Sequence, residues 1–180
     1  FLFLFSGSVY GDDFQDGLDA YNRQDFKEAF RLFLPFAEQG YASAQSNLGL
    51  MYSKGQGVPQ DYKEAVKWYR LSAEQGDARG QYNLGNMYRD GQGVPKDYKE
   101  AVRLYRLSVE QGYAIAQNNL GNMYAKGTGV PQDYALAHMW YNLSGSNGYK
   151  DAVHNIDIIE KRMSPSQIER AQQLVRNRKP

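Results

Sequence analysis

Ala44, Leu48, Met51 and Tyr52 stand at offsets of zero, four, seven and eight, the spacing that puts apolar side chains on one face of an α-helix. The pattern returns as Leu84, Met87 and Tyr88, and again as Ala116, Leu120, Met123 and Tyr124. A second apolar face follows each of these. Ala65, Trp68, Tyr69 and Ala73 are matched by Ala101, Leu104, Tyr105 and Val109, then by Ala137, Trp140 and Tyr141. The spacing therefore predicts pairs of helices rather than strands. Tyr52, Tyr69, Tyr88, Tyr105 and Tyr124 are assigned to the core on this pattern.

The interval between copies is thirty-six residues, and residues 40–75 share 25 identities with residues 76–111. Internal duplication explains that agreement. Gly40, Gly76, Gly112 and Gly148 recur in register and read as helix stops. Between the two faces lies "GQGVPQDYKEA" at Gly55, repeated as "GQGVPKDYKEA" at Gly91 and as "GTGVPQDYALA" at Gly127. Gly55 and Gly57 allow the first helix to end and the chain to reverse, while Val58 is expected to plug the loop onto the core. Pro59 blocks continuation, and Asp61 with Glu64 reads as a capping box, repeated by Asp97 with Glu100. A phosphate-binding glycine loop would need a preceding strand and a following lysine and hydroxyl, which are missing. Gly49, Gly85 and Gly121 sit inside the first helices, where glycine costs about 1 kcal/mol relative to alanine. A close crossing by the second helix of the same pair is the expected compensation.

Ala44, Leu48-Gly49, Tyr52, Gly55, Gly57-Val58, Asp61, Ala65, Trp68-Tyr69, Ala73 and Gly76, with their equivalents in the next two copies, resemble the Sel1-like repeat, a relative of the tetratricopeptide repeat. The resemblance covers about residues 12–180 and implies an all-α fold, a right-handed superhelix of αα-hairpins with capping helices at both ends. The units fall at about 17–40, 41–76, 77–112 and 113–148, with a C-terminal cap at 149–180. The first unit matches the second-helix half through Asp25, Ala29, Phe33 and Ala37 and lacks the loop insertion. The cap keeps Ala152, and Ser164-Pro165 opens a closing helix continued by Ile168, Ala171, Gln172 and Val175.

A chain of 180 residues, 42% hydrophobic and 23% charged, has the composition of a folded domain, and a net charge of +1 gives no general reason to expect nucleic acid as partner. The absence of cysteine excludes disulfides, thiolate metal sites and a cysteine nucleophile. Residues 1–11, "FLFLFSGSVYG", begin on Phe rather than Met and resemble the downstream half of a secretory signal, with cleavage expected before Asp12. On that expectation the protein is periplasmic or secreted. The alternatives are a cytoplasmic protein with a hydrophobic tail packed on its first helices, or a tail that holds copies together. The run is too short to cross a bilayer, which needs roughly twenty residues.

No constellation for catalysis or cofactor binding stands out, and no metal site is expected. His138 and His154 lie in different units without ligand spacing and read as packing or surface histidines. Ser72, Ser108 and Ser144 are repeat-equivalent, which points to structure rather than to a lone nucleophile. Glu64 with Lys67 and Glu100 with Arg103 are helix-surface pairs. What recurs without an apolar role is asparagine: Asn47, Asn83 and Asn119 just before each Leu-Gly pair, and Asn86 and Asn122 three residues later. Amide side chains can bond an extended peptide backbone whatever its sequence. They can equally tie neighbouring repeats together. In tetratricopeptide relatives, inner-helix asparagines hold peptides, so the resemblance implies a protein or peptide partner on the first helices, which line the inner wall. Positions that vary between units, among them Arg79, Tyr82 and Asn118, are expected to tune specificity, because Arg and Tyr are frequent hot spots. The candidate site is therefore Asn47, Arg79, Tyr82, Asn83, Asn86, Asn118, Asn119 and Asn122. The expected function is a non-enzymatic scaffold. The alternatives are β-lactam binding or hydrolysis, suggested by cysteine-rich relatives whose disulfides are missing here, and a self-associating structural component.

Overall fold

Helices pair as the apolar spacing demands. A computed structural model describes residues 7–178, with side chains from 13 to 177, and its helices are α1 (Gly7–Asn22), α2 (Phe26–Glu38), α3 (Ala42–Lys54), α4 (Tyr62–Glu74), α5 (Ala78–Asp90), α6 (Tyr98–Glu110), α7 (Ala114–Lys126), α8 (Tyr134–Ser146), α9 (Asp151–Glu160) and α10 (Pro165–Arg178). Among the described residues all regular structure is helical. Residues 1–6 of the expected signal segment lie outside the described residues, and α1 runs through the expected boundary at Asp12.

Contacts group the chain into two compact units, Phe1–Asn83 with Gln92–Val94, and Leu84–Gly91 with Pro95–Pro180. In the first, α1 packs on α2, α2 on α3 and α3 on α4. Its core joins Ala29, Phe33, Phe36 and Ala37 to Ala44, Leu48, Met51 and Trp68, with Phe14 tilted against Phe33 at 5.5 Å. In the second, α6 packs on α7, α7 on α8, and both α9 and α10 on α8. The C-terminal cap is thus two helices. Ser164 and Gln167 form a reciprocal cap at the start of α10, at 2.8 and 3.3 Å.

The first helices end as expected: Gly55 adopts φ 67° and its N–H bonds the Met51 carbonyl. The capping boxes differ from expectation in one half. Asp61 accepts from the N–H groups of Lys63 and Glu64 at 2.8 and 3.1 Å, but its own N–H bonds the Tyr52 carbonyl at 3.0 Å. Glu64 is therefore released to pair with Lys67 at 3.2 Å. Asp97, bonded to Tyr88, and Asp133, bonded to Tyr124, repeat this loop closure.

Close helix crossing accounts for the internal glycines. A Cβ on Gly49 would fall 2.5 Å from the Tyr69 ring, on Gly85 2.8 Å from Tyr105, and on Gly121 2.6 Å from Tyr141. Each ring packs against the bare backbone of its own hairpin. Tyr69 and Tyr105 are fully buried as expected. Tyr52, Tyr88 and Tyr124 are only half-buried. They sit at the last turn of the first helix, where the core opens to the surface, so Tyr52 packs edge-on against Phe30 and the Tyr124 hydroxyl takes a bond from Arg106 at 2.8 Å. Ser72 and Ser144 are fully buried and donate to the carbonyls of Ala42 and Ala114 at 2.9 and 2.7 Å, tying the second helix to the first turn of its partner. Their hydroxyls are structural.

Candidate functional site

The recurring asparagines divide by neighbourhood. Asn86 accepts the Tyr105 hydroxyl at 2.6 Å, and Asn122 accepts the Tyr141 hydroxyl at 2.8 Å. Each thus satisfies the polar tip of the ring that lies on the internal glycine. In the first copy Leu50 stands at this position and cannot accept, so the Tyr69 hydroxyl meets Ser53 Oγ at 3.3 Å. Burial pushes the phenols of Tyr69 and Tyr141 up to about 12, which keeps both protonated near neutrality.

Asn119 Nδ2 donates to Asn86 Oδ1 at 3.4 Å, a contact between side chains of α7 and α5. Asn118 is buried and accepts Asn155 Nδ2 of α9 at 2.7 Å. It therefore ties α7 to α9, and little of it is open to a partner on this face. Asn47 is half-buried, and its Nδ2 is shut from solvent with no hydrogen-bond partner among the described residues. Arg79, Tyr82 and Asn83 are half-buried on the part of α5 that belongs to the first unit.

Two of the candidate residues meet in a cleft of the second unit, about 300 Å³ in volume. α7 supplies Asn119, Asn122, Met123 and Lys126, followed by Thr128. The end of α5 supplies Arg89 and Asp90, and the approach to α6 supplies Lys96 and Tyr98. Arg89 grips Asp90 through two bonds of 2.8 and 2.7 Å and also donates to the Tyr105 hydroxyl at 3.3 Å. Lys96 Nζ lies 5.7 Å from the Tyr98 ring centre. The amides offer donors and acceptors, Met123 an apolar floor, and the cations a positive rim. Such a surface can hold an extended chain through its backbone.

Sequence reasoning missed a second set of recurring amides. Gln45, Gln81 and Gln117 are buried at the thirty-six-residue interval. Gln45 donates to the Ala37 carbonyl at 3.1 Å and Gln81 to that of Ala73 at 3.5 Å, closing the end of the preceding helix. Gln75 and Asn147 in turn donate to Gln45 and Gln117 at 2.7 and 2.9 Å. The register was legible. What each amide touched was not, because the partner belongs to another helix. His138 is a packing histidine, buried on α8, with Nε2 2.7 Å from Glu160 of α9 and Nδ1 3.1 Å from Asn142. His154 is exposed.

Paired antiparallel helices with a glycine-crossed core and an amide-lined first helix define an αα-hairpin repeat protein of the tetratricopeptide-like class. The chain belongs to the Sel1 repeat family, whose model matches residues 14–41, 42–77, 78–113 and 114–149. Members of this family are commonly scaffolds for protein–protein interaction. Among solved structures, the chain is similar to a protective antigen of uropathogenic Escherichia coli with an SLR fold, at 35% identity and a TM-score of 0.79 over 83% of this chain and 32% of that one. It is also similar to a Sel1 repeat protein from Oxalobacter formigenes, at 33% identity and a TM-score of 0.73 over 80% of this chain and 59% of that one. The chain thus spans about a third and rather over half of these two proteins. No curated protein matches it significantly.

Proposed function

We propose that the protein is a non-enzymatic scaffold that holds a segment of another polypeptide along its first helices, with the cleft between the ends of α5 and α7 as principal contact. One observation carries this reading: Asn119 and Asn122, one helical turn apart, line an open cleft beside Thr128 and Met123. Backbone-directed amides above an apolar floor suit an extended peptide better than a compact substrate. The fully buried, carbonyl-bound Ser72 and Ser144 argue against serine chemistry. Export to the periplasm or medium belongs to the same proposal. It rests on the apolar opening of the sequence and on the similarity to a protein described as a protective antigen.

The test is a photo-crosslinking residue in place of Thr128, introduced in intact source cells, with Gln173 on exposed α10 as the control position. The expected result is one polypeptide crosslinked at 128 and not at 173, recovered from the envelope or the medium and mapped by mass spectrometry to a single segment. Equal labelling at the two positions, or none at 128, overturns the docking proposal. A specific crosslink recovered only from cytoplasm overturns export alone.

A further inference from the structure

Repeat positions can be compared as an internal series, and position 96 departs from it. At the equivalent places Gln60 and Gln132 each close the loop onto the first helix, donating to the carbonyls of Ser53 and Ala125 at 2.8 and 2.9 Å. The central copy has Lys96 instead, which makes no such bond among the described residues and holds its ammonium over Tyr98. A structural tie has been given up for a charge at the cleft. On the opposite wall Lys126 is exposed and forms no ion pair among the described residues. Arg89 adds a third cation, and the one carboxylate lining the cleft, Asp90, is already gripped by Arg89. With three cations against one anion, the cleft is positive on a chain whose net charge is only +1.

We infer that the segment held in this cleft is acidic, with Asp or Glu side chains reaching Lys96 and Lys126 while the peptide backbone pairs with Asn119 and Asn122. Opposite charge on the two surfaces sets which partner is accepted and how fast it arrives, since like-charged or neutral segments gain nothing from the rim. Tyr98, over a third exposed, gives the aliphatic part of an acidic side chain a face to lie on. This inference rests on the peptide-binding reading above.

A random-sequence peptide display library selected on the full chain separates the two. The recovered pool is expected to be enriched in Asp and Glu, and a representative peptide to lose about tenfold in affinity when Lys96→Gln and Lys126→Gln are combined, with a comparable loss on raising salt. Lys96→Gln restores the residue found at the other two loops, so its fold is protected, and an unchanged melting transition confirms that the loss is electrostatic. A recovered pool without acidic enrichment, or one indifferent to both substitutions, overturns the acidic partner and leaves the peptide site standing. No recovery above background overturns both. A random single-stranded oligonucleotide that binds as tightly and loses as much in the double variant overturns the peptide as occupant.

Discussion

At the scale of single residues, the last three of the four repeats solve one problem, the hydroxyl of a tyrosine packed on a glycine inside the hairpin, with different side chains; the first has Phe33 on Gly17 and no hydroxyl to satisfy. Asn122 accepts from Tyr141, Asn86 accepts from Tyr105 with help from Arg89, and Ser53 serves Tyr69 where Leu50 cannot. The asparagine ladder is therefore partly a support for the core. The solutions should be exchangeable. Asn122→Leu leaves a buried hydroxyl without an acceptor and is expected to cost about 1–3 kcal/mol. Ala125→Ser, which copies the first repeat, is expected to be near neutral alone and to recover about 1 kcal/mol when combined with Asn122→Leu, a coupling that urea denaturation of the full double-mutant cycle measures. Additive effects would mean that the serine introduced at position 125 does not take over the Tyr141 hydroxyl, and an unchanged stability of Asn122→Leu alone would mean that this hydroxyl does not depend on position 122.

At the scale of elements, the loop does more than reverse the chain. Gly57 and Gly129 both have positive φ, 76° and 71°, and a Cβ on either would strike the first-turn backbone of the preceding copy's second helix, at Phe26 and at Tyr98. The loop glycine is where one hairpin seats on another. Gly129→Ala combines a left-handed backbone with overlap 2.5 Å from the Tyr98 carbonyl oxygen, and a loss of about 2–4 kcal/mol is expected. Gly127→Ala, with φ 67° and its nearest contact at 3.2 Å from Gln132, should lose only about 1 kcal/mol. Similar losses at both positions in chemical denaturation would remove the seating role. The contrast also marks the limit of legibility. Helix faces, stops and starts are local, set by spacing, glycine and N-caps, and could be read residue by residue. Contacts between repeats are not local: Gln45 on Ala37, Gly129 on Tyr98 and Asn155 on Asn118 join different helices. In the site, recurrence pointed to Asn119 and Asn122. Lys96 and Lys126 were passed over because single charges on helix ends and loops resemble solvated surface, although the exchange of Gln for Lys at 96 was visible in the repeat series.

At the scale of the whole molecule, a stack of hairpins must end, and its ends need a different chemistry from its middle. Here α8 is covered by α10, whose Ala171 is fully buried and whose Leu174 shares a cavity with Leu136, Met139 and Trp140 of α8. Arg170 pins the same helix to the N-cap of α8, with both Asp133 oxygens 2.9 Å from Nη1. A chain ending at Met163 would lay bare the face of α8 that carries Met139 and Trp140, which are 1% and 5% exposed in the intact protein. Burial of side chains of this size contributes about 1.5–3 kcal/mol each, so a loss of up to roughly 3–6 kcal/mol is expected, together with binding of a hydrophobic dye below the unfolding transition. Concentration-dependent association in light scattering should accompany it, since the uncovered face is apolar and another copy can cover it. Arg170→Ala separates the ion pair from the apolar cover. An exposed pair of this kind is worth at most about 1 kcal/mol, so this variant should keep the association state of the full chain and bind no dye. A truncated chain with the full chain's association state and stability would show that α10 is an appendage and that α8 needs no cover from it.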